Sequence, residues 1–117
     1  MQYILLIYEN EAEAKARSAE ETQRVFGEYM AFTQGIKQSG HMRAGEPLET
    51  TSNATTVRVK GGKTVRTDGP FAETREQLGG FYIVEAKDLD EAAGIAARLP
   101  AAKTGSVEVR PIMKMPM

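Results

Sequence analysis

Two short segments constrain this fold most: Tyr3-Ile4-Leu5-Leu6-Ile7-Tyr8 and Phe81-Tyr82-Ile83-Val84-Glu85-Ala86. Both are rich in β-branched and aromatic residues, the composition of strands. The first does not alternate apolar with polar. Successive side chains of a strand point to opposite faces, so a run that is apolar at every position needs cover on both sides. Whatever this chain folds into, it must contain a sheet that is not left bare on either face.

The rest of the chain supplies part of that cover. Ser18 with Glu21 three residues on has the pattern of a capping box. Val25, Tyr29, Phe32 and Ile36 then recur at i, i+4, i+7 and i+11, with Phe26 and Met30 widening the stripe. Gly40 can take the positive φ that ends a helix, so the spacing predicts an amphipathic helix over 18–39. Residues 9–17 read as a solvated loop or the lead-in to that helix, and residues 41–48 as a short strand broken by Gly45 and Pro47. A second helix is predicted from the Asp88 cap through Leu89, Ala92, Ala93, Ala96 and Leu99, stopped by Pro100. Residues 107–110 alternate as a last strand, and Met113 to Met117 form a loosely held tail. Residues 72–78 are predicted as a helical turn.

Residues 56–60 and 64–68 flank Gly61-Gly62, a hairpin signal. A two-residue loop pairs Val59 with Thr64 and sets Val65 opposite Arg58. A three-residue loop that takes in Lys63 pairs Val59 with Val65 and Arg58 with Arg66. The second is preferred here because it gathers the valines on one face, leaving Arg58, Arg66 and Asp68 on the other.

The order strand, helix, strand, hairpin, strand, helix, strand contains two strand–helix–strand units. It predicts an α+β fold: a ferredoxin-like sandwich of the dimeric α/β-barrel type, with an antiparallel sheet and two helices on one face. Right-handed crossovers put both helices on the same side. The other side is then bare within one chain, and an exposed apolar sheet is sticky. A homodimer burying sheet against sheet is the expected resolution.

Length and composition exclude much else. With 117 residues the chain is expected to form one domain over 1–117. Its formal charge of −1 argues against a surface built to neutralise nucleic-acid phosphates or an anionic membrane. Aromatic residues at 7% leave no stacking platform for RNA. The absence of cysteine removes disulfides, thiol nucleophiles and Cys-ligated metals, and one histidine, His41, removes an all-His metal site within one chain. No metal or cofactor is expected. The longest apolar run falls far short of the ~20 residues of a membrane helix, and Met1-Gln2 lacks the basic start of a signal peptide. A cytoplasmic location is the expectation. The sequence has no glycine-rich phosphate loop, zinc-protease signature or nucleophile elbow.

One stretch is specific. Asp68-Gly69-Pro70-Phe71-Ala72-Glu73-Thr74-Arg75-Glu76-Gln77-Leu78-Gly79-Gly80-Phe81-Tyr82 resembles the DGPF signature of the YCII-related (YciI-like) family. The resemblance continues through 89–93, Leu99-Pro100-Ala101-Ala102 and Val107-Glu108-Val109-Arg110-Pro111 and covers nearly the whole chain. It implies a dimeric ferredoxin-like protein. It also implies a histidine on the first helix paired with the aspartate of the turn. Ungapped placement puts that histidine position at Gly27, so only Asp68 of the pair carries over.

Asp68 is accordingly the first candidate for acid–base work, with an Asx cap of its own turn as the structural alternative. His41 is the second; it also sits where a helix C-terminus favours a cation. Arg58 and Arg66, which like-charge repulsion makes anomalous on paired strands, are candidate ligands for a carboxylate or phosphate. Glu73 and Arg75 would form the rim of the same site. Two function classes fit. One is a homodimer with a pocket between the DGPF turn, the first helix and the sheet, taking a small anionic or polar molecule, with lyase- or isomerase-like proton transfer at Asp68. The other is a non-enzymatic regulatory module, for which the resemblance suggests a partner such as an extracytoplasmic-function sigma factor.

Overall fold

The computed structural model describes residues 1–116. The two apolar segments lie side by side at the centre of one sheet. Strand β1 (Gln2–Glu9) pairs antiparallel with β5 (Gln77–Glu85) on one side and with β6 (Ser106–Pro111) on the other. Strand β2 (Met42–Pro47) completes the order β2-β5-β1-β6, all antiparallel. This is the predicted α+β, ferredoxin-like arrangement, and the outer strands are the short, polar ones.

Helix α2 (Ala19–Gln38) spans nearly the predicted range. Ser18 caps it, its hydroxyl accepting from the Glu21 N–H at 3.1 Å. At the other end Gly40 has φ 79°, Gly40 N–H donates to Lys37 O, and His41 N–H donates to Ile36 O, the paired bonds of a Schellman motif. Residues 11–15, read as loop or lead-in, form a short helix α1 (Glu11–Lys15) capped by Asn10. Helix α3 (Leu89–Ala96) starts at the Asp88 cap as expected. It ends before Leu99; tight turns carry the chain past Pro100 into α4 (Ala101–Thr104). Residues 72–76 are irregular and not the expected helical turn, because Gln77 to Gly80 are drawn into β5 by pairing with β1 and β2. Met113 to Pro116 are exposed and irregular; the last residue of the expected tail, Met117, lies outside the described residues.

The core forms on one face. Tyr3, Leu5 and Ile7 of β1 and Val84 of β5 are buried against Phe32 and Ile36 of α2, Ala92, Ile95 and Ala96 of α3, and Leu99 and Ala101. Each fully buried Leu, Ile or Val contributes roughly 1.5–3 kcal/mol over its exposed state. The alternate positions Ile4, Leu6, Tyr8, Phe81 and Ile83 point to the opposite face and are only half-buried.

The hairpin departs from expectation. β3 (Thr55–Lys60) and β4 (Lys63–Asp68) form a separate two-stranded sheet. The loop is the two-residue one: Val59 pairs with Thr64, Arg58 with Val65 and Val57 with Arg66. Gly61 and Gly62 both have positive φ, 54° and 77°, the signature of a type I′ turn, whose twist matches that of the strands. Gathering the valines on one face has little to gain, because every residue of β4 is solvent-exposed. Arg58 and Arg66 therefore lie on opposite faces, and the expected Arg58/Arg66/Asp68 cluster does not form. Only Arg66 and Asp68 share a face, with Val57 and Val59. The hairpin stands off the body as an arm. The radius of gyration is 16.2 Å, against about 13 Å for a compact chain of this length.

Candidate functional site

The side of α2 that meets the sheet is not closed along its whole length. Near its N-terminal half, helix and sheet diverge to leave a cleft of about 480 Å³. Phe26, Tyr29, Met30 and Thr33 line it from α2; Ile7, Glu9, Gly80 and Tyr82 line it from the central strands. The helix positions i, i+3, i+4 and i+7 make one face, the continuation of the stripe that buries Phe32 and Ile36 further on. The walls are mainly apolar.

The polar groups inside are few and converge. Glu9 ends β1 on the same face as Tyr3, Leu5 and Ile7, so strand alternation carries a carboxylate to the edge of the core. Arg17, between α1 and α2, donates through Nη2 to Glu9 Oε2 at 2.6 Å, and the two side chains are only 20% and 18% exposed. The Tyr29 hydroxyl approaches the other oxygen, Glu9 Oε1, at 3.4 Å, long for a direct hydrogen bond. Burial, reinforced by the Glu9 charge, pushes the Tyr29 phenol well above its ordinary value. Tyr29 thus stays protonated at any physiological pH and can act there only as a hydrogen-bond donor or acid. Deeper in, the Thr33 and Tyr82 hydroxyls are 2.7 Å apart, and Thr33 also donates to the Tyr29 carbonyl. Tyr82 meets Phe32 edge-on at 5.1 Å between ring centroids.

One wall is held by a carboxylate clamp. Both oxygens of Glu11 accept from Thr51, from its N–H at 2.9 Å and its hydroxyl at 2.7 Å. The Glu11 N–H donates to Gln77 Oε1 at 2.9 Å. These bonds tie α1, the turn at 51–53 and the start of β5 together around the cleft.

The residues singled out from sequence fall elsewhere. Asp68 ends the arm and is exposed; it does not line the cleft, and its carboxylate has no hydrogen-bond or ion-pair partner among the described residues. The turn is instead held by backbone and threonine: Gly69 N–H donates to Ala54 O, and the Thr56 hydroxyl donates to Gly69 O. Arg58 and Arg66 are exposed on the arm, and Glu73 is exposed beyond it. Arg75 borders a shallow depression beside Ser106 and Glu108, where Ser106 donates to Glu76 at 2.7 Å. His41 sits at the far end of α2. Its Nδ1 is 2.6 Å from the Ser39 hydroxyl and its Nε2 is 3.5 Å from Glu91, a link between the end of α2 and the start of α3. Gly27 is exposed on α2 and does not face the cleft. Among the described residues no three His, Asp or Glu side chains are grouped as a metal ion would need, and no helix is long and apolar enough to cross a membrane.

By sequence alone, Glu9 and Arg17 read as part of a solvated segment and Tyr29 as a packing residue. The signal was present in Tyr3, Leu5, Ile7, Glu9: a carboxylate in phase with a buried face.

The model of the YCII-related domain matches residues 1–116. The chain belongs to the YCII-related family. An uncharacterized protein of Rhizobium meliloti (strain 1021), R00369, is 41% identical over 114 residues, covering 96% of this chain and 92% of that protein. Among solved structures, the chain is similar to 5-chloro-2-hydroxyhydroquinone dehydrochlorinase (TftG) of Burkholderia phenoliruptrix AC1100 in complex with 2,5-dihydroxybenzoquinone. The TM-score is 0.56 at 16% identity, over 97% of this chain and 94% of that one. This YCII-related chain thus shares the fold of that enzyme, while its cleft residues must be argued on their own chemistry.

Proposed function

We propose that this YCII-related protein is a homodimer that binds a small, largely apolar molecule carrying an ionisable oxygen in the cleft between α2 and the sheet, and that it performs lyase- or isomerase-like proton transfer there. One observation carries the reading: in a mainly apolar cleft, the Glu9–Arg17 ion pair and the Tyr29 phenol converge on one point. Buried charge without a task is a cost to the fold, and convergent polar groups in an apolar pocket are the usual form of a ligand site.

The roles follow from the geometry. Arg17 holds one oxygen of Glu9, which keeps the carboxylate oriented. The other oxygen is free to take a proton from a carbon next to a ligand carbonyl. The electron pair moves onto the carbonyl oxygen, where Tyr29, still protonated, donates a hydrogen bond to the oxyanion. Return of the proton to a different atom completes an isomerisation; departure of an anionic leaving group completes an elimination. The dehydrochlorinase of the same fold, which by its name removes chloride from a hydroxylated ring, supports the second outcome as chemistry this architecture can house. Dimerisation is supported by the half-buried apolar row Ile4, Leu6, Phe81 and Ile83 on the face that carries no helix.

A thermal-shift panel of small hydroxylated and carboxylated ring compounds tests binding. A ligand present at a hundred times its Kd stabilises the fold by about 2.7 kcal/mol. Glu9→Gln should abolish turnover of any compound that shifts the melting and is converted. Tyr29→Phe should lower kcat more than it raises KM. Asp68→Asn should leave binding and turnover unchanged, because Asp68 lies outside the cleft. Failure of every compound to shift the melting would return the protein to the class of non-enzymatic interaction modules.

A further inference from the structure

The inner end of the cleft has a hydrogen-bond polarity that selects its ligand. Thr33 has one hydroxyl proton. Its Oγ1 faces two oxygens, the Tyr29 carbonyl at 2.8 Å and the Tyr82 hydroxyl at 2.7 Å. A carbonyl has no proton to offer, and two bare acceptors at that distance repel. The Thr33 proton therefore lies on the line to Tyr29. The contact between Thr33 and Tyr82 then needs the Tyr82 proton. Both hydroxyl protons are engaged, and Tyr82 presents to the cleft it lines an oxygen with a lone pair and no proton.

That oxygen is held in place. Gly45 is opposite Tyr82 in the pairing of β2 with β5, and a Cβ at Gly45 would stand 2.6 Å from Tyr82 Cδ1. The tyrosine ring occupies the space that a side chain would fill. Phe32 meets the same ring edge-on. Nearer the rim, polar groups are bound to one another: Glu11 to Thr51, and Gln77 to the Glu11 N–H and the Thr74 carbonyl.

The cleft thus offers a ligand two unlike ends. At one, the Tyr29 phenol stands beside Glu9, donor beside acceptor. At the other, Tyr82 only accepts. A ligand hydroxyl satisfies that oxygen. An ether, a halogen or a second carbonyl displaces water from it, sets lone pair against lone pair and leaves it unpaired.

We infer that the cleft selects hydroxylated ring ketones, compounds whose carbonyl meets Tyr29 and whose hydroxyl donates to Tyr82, and that Tyr82 is the specificity-determining residue. This rests on the cleft reading proposed above and deepens it, since it assigns the end of the ligand remote from the reacting carbon.

The probes are para- and meta-hydroxyacetophenone, each compared with its fluoro analogue, which has nearly the size of the hydroxyl compound and no proton to donate. Dissociation constants are measured by NMR titration of the full-length wild type, Tyr82→Phe and Tyr29→Phe. Phenylalanine at position 82 keeps the ring beside Gly45 and leaves Thr33 bonded to Tyr29, so the fold should persist. The expected result is that at least one hydroxyl probe binds the wild type about tenfold or more tighter than its fluoro analogue. Tyr82→Phe should abolish that preference, while Tyr29→Phe should weaken both members of the pair and keep it. Equal binding of hydroxyl and fluoro probes to the wild type, weakened by Tyr29→Phe, overturns the inference and leaves the cleft reading standing. A preference that survives in Tyr82→Phe overturns it too, because the ligand hydroxyl then donates elsewhere, as to Glu9. No binding by any probe, or binding that Tyr29→Phe does not weaken, overturns the inference and the cleft reading together.

Discussion

The protein contains two antiparallel β units that follow different rules. In the body, β1 and β5 have one face pressed against α2 and α3, and a one-residue slip would carry Leu5, Ile7 and Val84 out of the core. In the arm, β3 and β4 are exposed on both faces, and a slip would bury or expose nothing. Burial sets the register of the first unit; a two-glycine turn sets that of the second. The lesson is that hydrophobic alternation is a strong guide only where there is a core for it to face.

Gly105 offers the largest break in that comparison, because it lies where the body is tightest. A Cβ at this position would collide with the Tyr8 carbonyl oxygen and stand 3.1 Å from the Glu9 side chain. The obstacle is backbone of the central strand and cannot rotate away. Gly105→Ala should cost about 3 kcal/mol or more, at the upper end of overpacking effects. Urea unfolding should show a large drop in midpoint. A change under about 1 kcal/mol would mean that β1 and the α4–β6 turn yield far more readily than their packing implies.

In the arm, the matching substitution acts on the turn. Gly61 and Gly62 occupy left-handed backbone, where a side chain costs roughly 1–2 kcal/mol per residue. Gly61→Ala/Gly62→Ala should fray the arm without unfolding the body. Hydrogen exchange is the measurement: arm amides such as that of Arg58, in a hydrogen-bonded pair of the hairpin, should lose protection, while Leu5 and Val84 keep theirs. Loss of protection at Leu5 in step with Arg58 would show the two units to be one cooperative structure and would erase the distinction drawn above.

The same contrast explains what could be read from sequence. The element order, the span of α2, its Ser18 and Gly40 ends and the central place of residues 3–8 and 81–86 were legible, because each is dictated by periodicity and caps that the core rewards. The arm register was misjudged because gathering the valines has value only against a partner surface. Residues 72–76 were misjudged because β5 recruits Gln77 to Gly80 through pairing that begins 68 residues upstream, at Glu9. The candidate site was the least legible part. The DGPF turn is conspicuous as a string of residues, and drew attention to Asp68, Arg58, Arg66, Glu73 and Arg75. The cleft is assembled from Glu9, Arg17 and Tyr29, which stand on three different elements and form no local motif. Only the phase of Glu9 with the buried face of β1 announced it.

The subtlest test asks how far the dry interior of the body reaches into the cleft. Burial and the Glu9 charge raise the Tyr29 phenol above its ordinary value. The folded chain thus holds the Tyr29 proton more tightly than the unfolded chain does. The sign follows by linkage. The contribution of Tyr29 is intact below the ordinary tyrosine value of about 10. It is lost as pH rises beyond that point, because the unfolded chain ionises first. Wild-type stability should therefore fall more steeply above about pH 10 than that of Tyr29→Phe, which has no proton to lose. Urea midpoints of the two proteins, taken through the alkaline range, isolate the effect, since the remaining tyrosines are common to both. Parallel curves would place Tyr29 in water, on the same footing as the arm, and would leave Glu9 without the proton donor that the proposed chemistry requires.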